Sequence, residues 1–162
     1  MIIVANSSPL ISLSSVKALS LAQALYQDIY IAQAVYEEVA MDGAGKAGSN
    51  DVAAAAWIHR RAVANDSAVT QLMLAHKLER GECETLTLAA EMKADLILLD
   101  EKPARKVAAQ QGFAVIGSLG VLLLAKSNGV IGVIKPTLDA LLKAGMRLDG
   151  NLYAEILRRA GE

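Results

Sequence analysis

Apolar residues fall into two spacings along the chain. Short unbroken runs at residues 2–5, 29–31 and 96–99 mark strands covered on both faces, the pattern of a parallel sheet. Residues 114–116 add another run, and residues 57–63 alternate well enough to form a further, edge strand. Between these runs the spacing turns helical. Ser8-Pro9 opens a helix with Leu10, Leu13 and Val16 in phase, residues 19–26 form a second, and residues 34–41 a third that stops at Asp42-Gly43. A flexible connection is expected over residues 43–50. Asp66-Ser67 caps a helix running to about residue 78, Gly81 precedes one over 82–93, and another spans about 103–111 before Gly112. Beyond residue 119 the pattern is helical, over about 119–127, 137–143 and 152–159, with Gly129, Gly145 and Gly150 as stops. Strands alternating with helices predict βα units. The expected fold is therefore α/β, a three-layer α/β/α sandwich around a central, mostly parallel five-stranded sheet. No repeat or linker divides the 162 residues, so a single domain over residues 1–162 is expected, with a helical C-terminal extension from about residue 130.

Composition narrows the function. Hydrophobic residues make up 54% of the chain, but 29 of the 162 residues are alanine, which favours helices over an oversized core. Lys and Arg number 16 against 17 Asp and Glu, a formal charge of −1. That balance excludes a polybasic binder acting through bulk charge, though not a nuclease with an acidic centre. One cysteine, Cys83, and two histidines, His59 and His76, exclude a disulfide framework and a Cys- or His-rich metal site. Cys83 lies between Glu82 and Glu84, neighbours that disfavour a thiolate nucleophile. The chain opens without a charged leader, and its longest apolar stretch, residues 115–125, is broken by Gly117, Ser118 and Gly120. That stretch is far short of the roughly 20 residues that cross a bilayer, so a cytoplasmic protein without a membrane partner is expected.

In an open parallel sheet, ligands bind beyond the carboxyl ends of the strands. Two polar residues stand at such ends: Asn6 after the first strand and Asp100 after the fourth. Either serves equally well as a turn or helix cap. Glu38, on the helix after the second strand, suits a solvated face, and Glu82, at a helix start, suits the helix dipole. Residues 43–49 superficially resemble a phosphate loop but follow a helix and lack the G-K-S/T ending. Trp57 reads as a packing anchor, and His59-Arg60-Arg61 as ordinary basic surface.

Taken together, these residues are more informative. The start Val4-Ala5-Asn6-Ser7-Ser8-Pro9-Leu10-Ile11, the helix segment from Val35 to Val39, Arg80-Gly81-Glu82, Asp100-Glu101 and the run from Ile116 to Gly120 occur in the order and spacing of one family. In these features the chain resembles the PIN domain, the nuclease fold of VapC-type toxins, and specifically a bacterial PIN-like subfamily. The resemblance covers nearly the whole sequence and implies a metal-dependent ribonuclease or single-strand nuclease. It maps the family's acidic positions onto Asn6, Glu38, Glu82 and Asp100, as catalytic residues and as ligands of one or two Mg²⁺ or Mn²⁺ ions. Carboxylates suit such hard cations and need them: two acids about 4 Å apart repel by roughly 4 kcal/mol at an effective dielectric near 20. Most PIN nucleases carry Asp where this chain has Asn6, which offers an amide oxygen but no charge. Glu37, Glu84 or Glu101 is expected to supply the missing charge, and Ser7 or Ser8 to position the Asn6 side chain or a metal-bound water.

Phosphate binding needs local cations. Lys102, Arg105 and Lys106 share a helix face immediately after Asp100, and Arg80 stands beside Glu82. The resemblance further implies a toxin–antitoxin pair with a small antitoxin partner, single-stranded RNA or DNA as substrate, and a homodimer. The C-terminal apolar residues Leu138, Leu141, Leu142, Leu152, Ile156 and Leu157 serve core packing or self-association. The competing reading is a non-catalytic PIN-fold module that binds nucleic acid or protein and has lost its metal chemistry through Asn6. A receiver-like α/β domain fits the Arg80-Gly81-Glu82 helix and the helical C-terminus poorly.

Overall fold

The computed structural model describes residues 1–42 and 48–162. Five strands, β1 (Ile3–Ala5), β2 (Ile29–Ala32), β3 (Ile58–Arg61), β4 (Leu96–Leu98) and β5 (Val115–Ile116), form one all-parallel sheet in the order β3-β2-β1-β4-β5. Ile3, Val4 and Ala5 stand opposite Leu96, Ile97 and Leu98, and Val4 opposite Tyr30. The unbroken apolar runs occupy the centre of this sheet: Ile3, Val4, Ala5, Ile97 and Leu98 are all fully buried. β3 is the edge strand its alternation predicts, two residues shorter at its C-terminal end.

Helices cover both faces. α1 (Ser7–Ser15) and α2 (Leu19–Tyr26) lead from β1 to β2. α3 (Gln33–Glu37) runs on into a π-helical turn, Glu38–Asp42, and α4 (Ser49–Ala54) precedes β3. α5 (Asp66–His76) and α6 (Arg80–Met92) lead to β4, α7 (Lys102–Gln110) to β5, and α8 (Ser118–Ser127), α9 (Lys135–Lys143) and α10 (Gly150–Ala160) complete the chain. α6 packs across β1 and β2 and against α3 and α5, whereas α8 packs against α1, α2 and α10.

Two departures from the sequence reading stand out. Of the expected connection over 43–50, residues 43–47 lie outside the described residues, while Ser49 and Asn50 already belong to α4, which follows Gly48 at φ +88°. The π-helical turn widens the end of the third helix at Glu38, a distortion frequent at functional sites. At the C-terminus, Leu138, Leu141 and Ile156 are buried, while Leu152 stays 42% exposed. The Glu162 carboxylate accepts from the backbone N–H groups of Ile134 and Lys135 and pairs with Lys126, tying the chain end to α8 and α9.

The chain fills the sheet outward from β1 to β3, then returns to the other side of β1 for β4 and β5. The strand order therefore switches between β1 and β4, and the crevice beyond their carboxyl ends is where this topology places a ligand.

Candidate active site

Asn6 follows β1 and occupies the N-cap position of α1, yet its side chain makes no capping hydrogen bond. Only 2% exposed, it turns across the sheet instead. Nδ2 donates to Glu101 Oε2 at 3.3 Å, and Oδ1 accepts from the Thr85 hydroxyl at 3.4 Å. Its backbone N–H extends the β1–β4 ladder to the Leu98 carbonyl. Next to it, Ser7 donates to Glu38 Oε2 at 2.6 Å and Ser8 donates to Glu101 Oε1. The two serines thus bond carboxylates rather than the Asn6 side chain, the first of the two roles expected of them.

Glu38 arrives from the π-helical turn and lies against Gly81, where a Cβ would overlap its carboxylate. Glu82, in the first turn of α6, accepts from the Glu79 N–H at 2.9 Å, the closure expected of a capping glutamate, and only one of its oxygens serves in that bond. The helix carrying Glu38 is fixed from below by Glu84. That buried carboxylate accepts from the Ala34 N–H of α3 at 2.9 Å and from Arg80 Nε at 2.8 Å, and Arg80 in turn reaches Asp66 at 2.7 Å.

Asn6, Ser7, Ser8, Glu38, Glu82 and Glu101 line one cavity of ≈ 350 Å³, joined by Lys77 and Glu79. Burial is the first cause raising the Glu82 pKa above its ordinary value, reinforced by the negative charges of Glu101, Glu79 and Glu38. Of the three candidates for the missing charge, only Glu101 faces this cavity; Glu84 is spent on Ala34 and Arg80, and Glu37 accepts from Gln33 on the surface.

Asp100 goes elsewhere. Its Oδ1 accepts from the Ser118 N–H at 2.7 Å and its Oδ2 from the Ser118 hydroxyl at 2.6 Å, so it closes the N-terminus of α8 and lines a neighbouring cavity. The reason is geometric: α8 starts immediately past β5, beside the end of β4, and its free N–H groups claim the first carboxylate after the strand. Desolvation raises the Asp100 pKa, against the lowering effect of the Ser118 bonds. The structure therefore brings together Asn6, Glu38 and Glu82 but not Asp100, and puts Glu101 where Asp100 was expected.

The expected phosphate contacts divide similarly. Lys102 and Arg105 line the cavity beside Asp100, with Arg105 Nη1 donating to the Leu99 carbonyl at 3.0 Å. Lys106, on the exposed side of α7, lines neither cavity, and Arg80 is engaged by two carboxylates. Lys77 was missed because nothing in its local sequence distinguishes it from the basic end of any helix. Cys83 is buried, with its thiol pushed up to about 11 by burial and then by Glu82, as its acidic neighbours predict.

A family model described as a PIN domain matches residues 2–162. The chain belongs to the PIN domain family. PIN domains are generally nucleases that act on nucleic acid and typically use divalent metal ions, so this chain has a nuclease-type fold with its acidic cavity at the ligand-binding end of the sheet. No curated protein and no solved structure matches it. Among the described residues, no helix is long and apolar enough to cross a membrane.

The raised pKa of Glu82 gives a stability signature for this PIN domain. The folded chain holds the Glu82 proton to higher pH than the unfolded chain does. Stability is thus unaffected below the ordinary glutamate range, near 4.5, and falls as pH rises from there through the raised value. In EDTA, the melting temperature should decline over that window, and Glu82→Gln should flatten the decline. An unchanged slope in the variant would mean that Glu82 is not the group held protonated.

Proposed function

We propose that this PIN domain is a metal-dependent ribonuclease or single-strand nuclease that hydrolyses a phosphodiester with Glu38, Glu82, Glu101 and Asn6 as its metal-facing residues. The observation that carries the reading is the convergence of four glutamates, Glu38, Glu79, Glu82 and Glu101, and a buried amide on one cavity beyond β1 and β4. Their donor atoms are hard oxygens, and the burial and the neighbouring negative charges that together raise the Glu82 pKa are both offset by a divalent cation. The residues fit Mg²⁺ or Mn²⁺ in chemistry and sign. When bound, the ion would supply Lewis-acid activation of the scissile phosphate and of water. The chain's own part is orientation: Ser7 and Ser8 aim Glu38 and Glu101, and Asn6 keeps Glu101 in the cavity. Asp100 acts through α8 as a positioning residue. In the cell, the chain would serve as the toxin of a toxin–antitoxin pair, as a homodimer in the cytoplasm with a small antitoxin partner. The domain would span residues 1–162, with α9 and α10 as its C-terminal extension.

A binding-only role has one observation in its favour. Among the described residues, no three Asp, Glu, His or Cys side chains form a group able to hold an ion. Calorimetric titration with Mn²⁺ and a cleavage assay on single-stranded RNA separate the two readings. The nuclease reading expects metal uptake and metal-dependent cleavage that Glu82→Gln abolishes; binding of RNA without either establishes the other.

Asn6→Asp gives a second measure of the cavity. Aspartate cannot donate to Glu101, so the metal-free variant sets two carboxylates together and should lose about 1–3 kcal/mol of stability. With Mn²⁺ the added charge should raise both metal affinity and turnover. If Asn6→Asp leaves Mn²⁺ affinity and cleavage rate unchanged, the residue has no role toward the metal.

A further inference from the structure

Ser8 separates two cavities of opposite character. On one side lie the glutamates; on the other a larger groove of ≈ 770 Å³ runs from the start of α7 past the end of β5 to α10. Four cations line it: Lys102 and Arg105 from α7, Arg147 from the segment between α9 and α10, and Arg159 from α10. Among the described residues its only acid is Asp100, whose oxygens are both taken by Ser118. Arg159 pairs with Glu155, while among the described residues no carboxylate pairs with Lys102 or Arg147. Leu119, Leu123, Met146 and Leu148 give the groove an apolar lining between these charges.

We propose that this groove holds the nucleotides flanking the reacting phosphate of a single strand, and that Arg147 and Arg159 are binding residues supplied by α10 and the segment that precedes it. The proposal rests on the nuclease reading and gives it a substrate path. The glutamate cavity repels a polyanion, so binding affinity has to come from cations nearby, and the groove is contiguous with it through Ser8. Cations facing phosphates across an apolar lining suit a strand whose bases are free to turn inward, as a duplex cannot offer them. The groove has no aromatic side chain among its lining residues, so base contacts are apolar rather than stacked, and binding should depend little on sequence.

The test is fluorescence anisotropy with a short, fluorescein-labelled single-stranded RNA of mixed sequence in EDTA, so that cleavage plays no part. Removing one cation that neutralises a phosphate of a single strand lowers affinity about fivefold at about 0.1 M salt, from a salt slope of about 0.7 per neutralised phosphate. Lys102→Ala/Arg147→Ala should therefore weaken binding about 25-fold and make the salt dependence shallower by about 1.4. Arg147→Lys should retain most of the affinity. Arg60→Ala/Arg61→Ala removes the same charge from β3, at the opposite edge of the sheet, and should change affinity less than about twofold. Equal weakening by the two double variants would show bulk attraction, and no weakening by Lys102→Ala/Arg147→Ala would show a strand bound elsewhere; either overturns the proposal. So would failure of the wild-type chain to bind the RNA, with Arg147→Glu altering its sedimentation instead, which would make the groove a self-association face. Loss of cleavage with this binding pattern intact would sink the nuclease reading alone.

Discussion

Glu101→Gln is expected to abolish Mn²⁺-dependent cleavage, while Asp100→Asn, one residue away, is expected to leave most of it in place. Glu101 lines the glutamate cavity, accepts from Ser8 and Asn6, and contributes to the raised Glu82 pKa. Replacing an outer partner of a metal ligand costs about 10- to 100-fold in affinity or activity, so losing a metal-facing carboxylate should cost more than about a hundredfold. Asp100 has a different task. Its two bonds to Ser118 close α8, and an asparagine retains one acceptor for the Ser118 N–H. The loss should be about 1 kcal/mol of stability, the ordinary worth of a helix cap. For a chain of this size that lowers the melting temperature by about 2–4 °C. Single-turnover cleavage and thermal melting on both variants decide the matter. A hundredfold loss in Asp100→Asn beside an active Glu101→Gln would restore the ligand set that the family resemblance implies.

Why the sequence places Asp100 rather than Glu101 in the glutamate cavity is physical. The unbroken run at residues 96–99 identifies the central strand, and the strand's end identifies the ligand crevice. Neither observation says which of two successive acids turns into the crevice, because residues leaving a strand diverge. The choice is made by a third element, the N-terminus of α8, and its approach is a matter of tertiary packing. The same limit explains the serines. Their position beside Asn6 is legible, but Ser7 reaches a carboxylate 31 residues away and Ser8 one 93 residues away. By contrast, β1, β2, β4 and α2 are local signals of apolar period, and their boundaries agree with the structure within a residue or two. The six-residue α4 is too short for any period to register. The cations of the second groove show the converse case. Arg147 and Arg159 carry no motif, and only the folding of the C-terminal helices brings them beside Lys102 and Arg105.

Gly81→Ala should leave the fold intact and disable the site. Gly81 stands in the first turn of α6, and a Cβ built there overlaps Glu38 Oε1 and lies 2.8 Å from the Glu38 carboxyl carbon. The obstructed group is the tip of a flexible side chain, so Glu38 swings away and the helix stays. Removing the Ser7–Glu38 hydrogen bond costs about 0.5–1.5 kcal/mol. Alanine returns up to about 1 kcal/mol of helix propensity, so net stability should change by less than about 1 kcal/mol. Displacing a reacting group by about 1 Å costs on the order of a hundredfold, and cleavage should fall by at least that much with Mn²⁺ binding weakened alongside. The double variant Gly81→Ala/Glu38→Asp carries a side chain one methylene shorter, removes the overlap, and should recover part of the lost activity. Cleavage rates, Mn²⁺ titration and melting curves for the two variants read all three effects. A Gly81→Ala chain that cleaves at the wild-type rate would mean that the Glu38 carboxylate is not needed where it rests, and Glu38 would have to leave the proposed catalytic set.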